Sequence, residues 1–264
     1  MHFFIKTLTG AFALLPALHA GACEKTVRWY DDPPYSFRAP DGNISGFDVE
    51  MVREAFRRMG CHAKFVNMPW ARAMVELEAG RLDVLPSIFR SSERDKFAYF
   101  SIASMQSPNV LYIAPAAQAA YHLTKLSDIL GTRFRLGVQI GVSYGTEFEL
   151  LKSDPRFREN YVPVTLRLAA WKMMERGRID GIIADEASAR FELEQLGLER
   201  ALQQNMLVVS TSTAMVAFSK RTTSPQFVNL FNKSLAAMIA DGQYRFIRNR
   251  HLRCPTSVKV LGCS

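Results

Sequence analysis

The stretch Glu78-Ala79-Gly80-Arg81-Leu82-Asp83-Val84-Leu85 is echoed by Glu175-Arg176-Gly177-Arg178-Ile179-Asp180-Gly181-Ile182. In each copy an amphipathic run leads to a glycine, and the glycine to a short apolar run. Trp70, Ala73, Met74 and Leu77 recur at i, i+3, i+4 and i+7, and Leu166, Ala170, Met173 and Met174 make a similar stripe, so both runs read as helices with one face to bury. Gly80 and Gly177 stand where a left-handed residue ends a helix, and the apolar runs after them read as buried strands. Polar residues follow both strands: Ser87, Arg90 and Arg94 in one copy, Asp185 in the other. Open α/β sheets bind ligands beyond the carboxyl ends of their strands, which makes these two clusters the first candidates for a shared site.

The rest of the chain alternates in the same way. Strand-like runs at 26–30, 63–66 and 83–87 are separated by a helical pattern through Val49, Met51, Val52, Ala55, Phe56 and Met59, and by the first copy of the repeat. This order predicts an α/β fold with a parallel sheet and helices packed on it. Further strands are predicted at 97–100, 109–113, 135–138, 161–164, 206–210 and 214–218, and a helix at 186–196. Ser224-Pro225 offers an N-cap and a first-turn proline to a strong helix with the stripe Val228, Phe231, Leu235, Met238 and Ile239. A last helix is expected over 244–251. The alanine-rich run 114–121 and the hydroxyl run 210–213 read as crossings between two lobes. That reading sets lobe 1 at 23–114 plus 214–264 and lobe 2 at 115–213. The turn Gly141-Val142-Ser143-Tyr144-Gly145-Thr146 feeds a helix and could present backbone N–H groups to an anion.

Residues 1–22 read as a secretory signal: Lys6 precedes the apolar segment 8–18, and Ala20-Gly21-Ala22 supplies small residues for cleavage. No later stretch is long and apolar enough to span a bilayer, so an exported product is expected. The formal charge of +8 falls to about +7 without that segment, and the cations are spread along the chain with no nucleic-acid motif, which argues against a nucleic-acid partner. The 4 cysteines are an even set for an oxidising compartment. Cys23 and Cys61 each precede a strand, and parallel pairing of those strands would join them; Cys254 and Cys263 would pin the tail. Lipidation of Cys23 is the rival reading, although Ala20 stands where a lipoprotein signal usually has leucine. The 5 histidines are scattered without ligand spacing, so neither a metal nor another cofactor is expected.

Taken in order, the Pro33-Pro34-Tyr35 loop, Gly46-Phe47-Asp48-Val49-Glu50, Gly80-Arg81-Leu82-Asp83, Ser92-Glu93-Arg94 and Asp180 through Asp185-Glu186 resemble the family 3 bacterial solute-binding proteins, the polar amino acid type. The resemblance implies a two-lobed type II periplasmic binding fold with two hinge crossings, a periplasmic monomer that closes on a small solute and serves the permease of an ABC importer. It also implies roles. Arg94 matches the arginine that grips the α-carboxylate, Asp185 the acid that pairs with the α-ammonium, and Ser143 the hydroxyl residue assisting at the carboxylate. Trp70 falls where a pocket wall is usual, and Asp32 and Tyr35 lie in the loop that packs on the ligand side chain.

The run Ser87-Ile88-Phe89-Arg90 departs from the family's pattern, with fewer hydroxyls and a second arginine, so a dicarboxylate-like or otherwise more acidic solute, or a metabolite that is not an amino acid, is expected on the strength of Arg90. The same fold also resembles periplasmic dehydratases of cyclohexadienyl acids. Asp32 and Glu186 are the carboxylates such an enzyme could use, but no arrangement demands catalysis.

Overall fold

The computed structural model describes residues 23–198, 204–211, 213–252 and 254. The expected signal segment and Cys263 lie outside the described residues. The chain begins with β1 (Cys23–Trp29), a small hairpin of β2 (Phe37–Arg38) and β3 (Ile44–Ser45), α1 (Phe47–Arg58), β4 (Cys61–Asn67), α2 (Trp70–Ala79) and β5 (Val84–Ile88). It continues through β6 (Ala98–Phe100), β7 (Met105–Gln106), β8 (Asn109–Ile113), α3 (Pro115–Ala120), β9 (Leu136–Gln139), α4 (Thr146–Ser153) and β10 (Tyr161–Val164). The last part is α5 (Arg167–Glu175), β11 (Gly181–Asp185), α6 (Glu186–Leu196), β12 (Gln204–Ser210), β13 (Thr213–Ser219), α7 (Pro225–Ala240) and α8 (Gln243–His251).

These strands form two mixed sheets. The first has the order β4-β1-β5-β13-β6, with β7 also paired to β13; the second has the order β10-β9-β11-β8-β12. β1 runs parallel to β4 and β5, while β13 enters antiparallel between β5 and β6. In the second sheet β9, β10 and β11 are parallel, and β8 is antiparallel to both β11 and β12. Each sheet therefore presents the carboxyl ends of three parallel strands at one edge.

The first crossing differs from the sequence expectation. β8 belongs to the second sheet, so the chain changes sheets between Gln106 and Asn109, and lobe 1 gives up that strand. The run read as a crossing is α3. Alanine is the best helix former, and Pro115 occupies the first helical position, where its missing N–H has no partner to lose. The second crossing falls between Ser210 of β12 and Thr213 of β13.

Three apolar clusters account for the packing. Val27, Phe47, Met51, Phe56, Val216, Phe231 and Leu235 join α1, α7 and α8 to one face of the first sheet; Ala73, Leu77, Leu82, Leu85 and Ile88 join α2 to the other. Phe134, Phe148, Trp171, Ile182 and Ile183 centre the second sheet's cluster. Burying each large side chain stabilises the fold by about 1.5–3 kcal/mol. The α5 stripe is shifted from its expected position, because Trp171 is fully buried whereas Leu166, the N-cap, is half exposed. In α7 the stripe holds as far as Met238, and Ile239 faces solvent.

The echoed stretch does the same work twice. Gly80 ends α2 in the left-handed region at φ 76°, and a Cβ there would lie 2.7 Å from the Arg221 Cβ. Asp83 then accepts from Thr26 N and Oγ1, both at 2.8 Å, and Asp180 accepts from Arg135 N at 2.7 Å and from its guanidinium. Each aspartate ties the start of its own strand to a neighbouring strand of the same sheet. Parallel register sets Cys23 opposite Cys61, and a disulfide joins them across a sequence separation of 38. Closing that loop is worth about 4 kcal/mol in chain entropy. The thiol that lipidation of Cys23 would use is held in this bond.

Candidate functional site

The parallel strands of both sheets end at one crevice. From the first sheet, the loop after β1 carries Asp32 and Tyr35, the start of α2 carries Trp70, and the segment after β5 carries Arg94. From the second sheet come Ser143 in the turn after β9, Arg167 at the head of α5 after β10, and Asp185 at the end of β11. Hydrogen bonds cross the crevice. Tyr35 OH donates to Asp185 Oδ1 at 2.8 Å, Arg167 Nη2 to Asp32 Oδ1 at 2.7 Å, and Trp70 Nε1 to the Gly141 carbonyl at 2.9 Å.

Asp185 is the N-cap of α6, accepting from Ser188 N at 2.9 Å, so the helix end fixes its carboxylate. Burial pushes its pKa above the ordinary carboxylate value, and the donors Ser107, Ser188 and Tyr35 act in the opposite sense. Burial likewise raises Tyr35 well above the usual phenol, with the Asp185 charge adding to it. Arg94 donates from Nη1 to the Phe89 carbonyl at 2.6 Å. Burial lowers its pKa, and Glu149 of α4 in the second sheet's layer is the leading charge in its favour. Arg167 is gripped by Glu192 at 2.7 and 2.8 Å, and the Trp171 indole donates to Glu192 at 2.5 Å. Desolvation opposes the Arg167 charge, but Asp32 and Glu192 more than offset it and hold its pKa well above the ordinary value.

The eight residues expected at a site do not all meet. Asp32, Tyr35, Trp70, Arg94, Ser143 and Asp185 lie on loops and element ends at the crevice. Ser87, one residue before the end of β5, is in the left-handed region at φ 53° and donates to Asp48 Oδ1 at 2.7 Å, so its hydroxyl is engaged within the first lobe. Arg90 is turned away from them. It pairs with Asp95 at 2.8 Å, stacks over Phe100 and lines a surface depression with Lys220 and the start of α7. Its charge is answered there, which removes the ground for expecting an acidic solute from Arg90.

Three charged residues of the crevice went unmarked in the sequence. Arg167 heads a helix after a parallel strand, and the strand-end rule that singled out Asp185 applies to it equally. Asp48 is in the first turn of α1, and burial pushes its pKa up to about 7, with the Ser87 hydroxyl and Arg28 working against the rise. Arg28 lies inside β1, where a charged residue in a strand between Val27 and Trp29, both buried, was the available signal. A cavity of about 420 Å³ adjoins the Tyr35–Asp185 bond, lined by Pro34, Ser107, Glu186, Arg190 and His251 among others. Among the described residues no group of three or more His, Cys, Asp or Glu side chains could hold a metal ion, and no helix is long and apolar enough to cross a membrane.

The chain is similar to known proteins in sequence and in fold. The family model for bacterial extracellular solute-binding proteins, family 3, matches residues 27–253. The L-cystine-binding protein TcyJ of Escherichia coli (strain K12) is 27% identical over 163 residues, which span 60% of this chain and 56% of that protein. The histidine-binding periplasmic protein of Salmonella typhimurium is 24% identical over 265 residues, covering 93% of this chain and 92% of that one. A crystal structure of the P235GK mutant of ArgBP from T. maritima superposes with a TM-score of 0.72 at 24% identity, over 86% of this chain and 94% of that one.

Proposed function

Because the chain belongs to the bacterial extracellular solute-binding proteins, family 3, we propose that it is the periplasmic binding component of an ABC importer, closing its two lobes on a small amino acid or related carboxylate. The observation that carries this reading is the crevice itself: Arg94 stands on one side and Asp185 on the other, and side chains from both sides already bond across. A zwitterion bridging the two would satisfy both charges only in the closed form, so binding energy drives closure. Arg94 supplies a planar fork for the carboxylate. Asp185, fixed by the α6 N-terminus, keeps acceptor capacity for an ammonium. The relatives' names, which specify cystine, histidine and arginine binding, support an amino acid as the solute class.

The dehydratase alternative gains nothing from the site. Asp32 is bound to Arg167 and Glu186 to Arg190, so neither carboxylate stands ready as an acid or base. The delivery partner, a membrane permease, follows from the same family reading.

Calorimetric titration with a panel of amino acids and organic acids tests the proposal. At least one zwitterion is expected to bind, and Arg94→Ala and Asp185→Ala should each weaken it by about 2–5 kcal/mol. Wild-type affinity in either variant removes that residue from the site, and no binding across the panel overturns the reading.

A further inference from the structure

β1 carries a guanidinium at the crevice that, among the described residues, no carboxylate contacts. Arg28 Nε donates to the Met68 carbonyl at 3.1 Å, and the guanidinium lies over the rings of Trp70 and Tyr30 at 5.5 and 5.6 Å. Its remaining N–H donors make no hydrogen bond to the described residues. The guanidinium is half-buried, so its open donors can be met by water or by a ligand acceptor, and an anionic acceptor gives them charge-assisted hydrogen bonds. Trp70, which stacks on Arg28, also donates to Gly141 of the second lobe, so Arg28 sits directly behind a contact that closure makes.

The nearby acids do not answer its charge by contact. Asp32 and Asp48 act on Arg28 through space, but Asp32 is held by Arg167 and Asp48 by the Ser87 hydroxyl. Asp48, with its pKa pushed up to about 7, is also partly neutral in a near-neutral periplasm. Arg94 and Asp185 are assigned to the α-groups of the solute, and Arg28 is a cation of the first lobe's wall that, among the described residues, touches a carbonyl and two rings but no carboxylate.

We propose that Arg28 is a specificity-determining residue whose remaining N–H donors receive an anionic group at the far end of the solute. The proposal rests on the solute-binding reading above and sharpens it to an acidic amino acid or a dicarboxylate. Discrimination follows from chemistry. A carboxylate meets the guanidinium with charge-assisted hydrogen bonds, whereas its amide isostere offers one neutral acceptor and turns an N–H₂ donor towards other donors.

Calorimetry with isosteric pairs tests this on the unaltered protein: glutamate against glutamine, aspartate against asparagine, with succinate, arginine and histidine alongside. The acidic member of a pair should bind about tenfold or more tightly. In Arg28→Met that preference should fall to about twofold, while affinity for the amide stays within about threefold. Arg28→Lys should retain part of the preference, and thermal melting of both variants reports whether they fold. Amides or basic amino acids binding the wild type more tightly overturn the proposal and leave solute binding intact. An equal loss for every ligand in Arg28→Met also overturns it, since that is the signature of a residue that only props Trp70. Silence across the whole panel removes the underlying reading as well.

Discussion

Asp48 joins the chemistry of a single carboxyl to the behaviour of the first lobe. Its side chain is buried at the start of α1, accepts from the Ser87 hydroxyl and feels Arg28 through space. Ser87, at φ 53°, has the one positive φ outside glycine among the described residues, a conformation the Asp48 bond helps to hold. Because folding raises this carboxyl from 3.8 to about 7, the folded state keeps a proton that the unfolded chain has already released. The contribution is therefore complete below the unfolded value and declines as pH rises towards 7, by about 4 kcal/mol at most. Asp48→Asn should remove that decline: urea denaturation at pH 4.5 and 7.5 is expected to find the variant's stability gaining on the wild type with rising pH. Parallel curves would mean that Asp48 is ionised in the folded protein.

At the scale of elements, the loop after β1 is set by its seat on α1. Gly46, the N-cap of α1 at φ 116°, packs so closely that a Cβ would lie 2.4 Å from the Tyr35 carbonyl oxygen. The Phe47 and Asp48 amides donate to Pro34 and Tyr35 carbonyls at 3.1 and 2.9 Å, which fixes Tyr35 in front of Asp185. Gly46→Ala should cost about 2 kcal/mol or more in stability and weaken ligand binding, because backbone cannot give way as a side chain can. Denaturant titration and calorimetry on the same preparation check both effects; a folded variant with unchanged affinity would separate the loop's seat from the site.

Elements were also where the sequence was most readable. Apolar runs, glycine stops and the Ser224-Pro225 start are local signals, and they marked most strands and helices to within a few residues. The alanine run at Pro115–Ala120 was not readable as a boundary, because alanine carries no face, and whether β8 joins the first or the second sheet is decided by partners far away in sequence. The site divides the same way. Asp185 follows from the strand-end rule, whereas Tyr35 comes only with the family resemblance. Arg90 and Arg28 are both arginines beside apolar residues, and only packing turns one towards Asp95 and sets the other behind Trp70.

For the whole molecule, an ion pair of the protein's own joins the two sides of the crevice. Glu192, fixed by the Trp171 indole, holds Arg167 ready, and Asp32 completes its coordination from the other lobe. Asp32→Asn leaves the Arg167–Glu192 pair intact but weakens the crossing bond, so the equilibrium should shift towards the open form. Small-angle scattering without ligand is expected to give a larger radius of gyration, and ligand affinity should fall about threefold to thirtyfold, the fraction of closed protein lost. Unchanged scattering and affinity would assign Asp32 no part in closure.

The position of β13 bears on how the molecule is made. It is the strand between β5 and β6, yet it follows the whole second sheet in sequence. The first sheet is therefore incomplete until residues 213–219 emerge, whereas β8 to β12 form one continuous segment. During synthesis the middle of the chain can assemble alone, and the N-terminal third must wait for a strand added late, at the expense of slow long-range pairing. The strand order itself thus sets a delay on the completion of the first sheet.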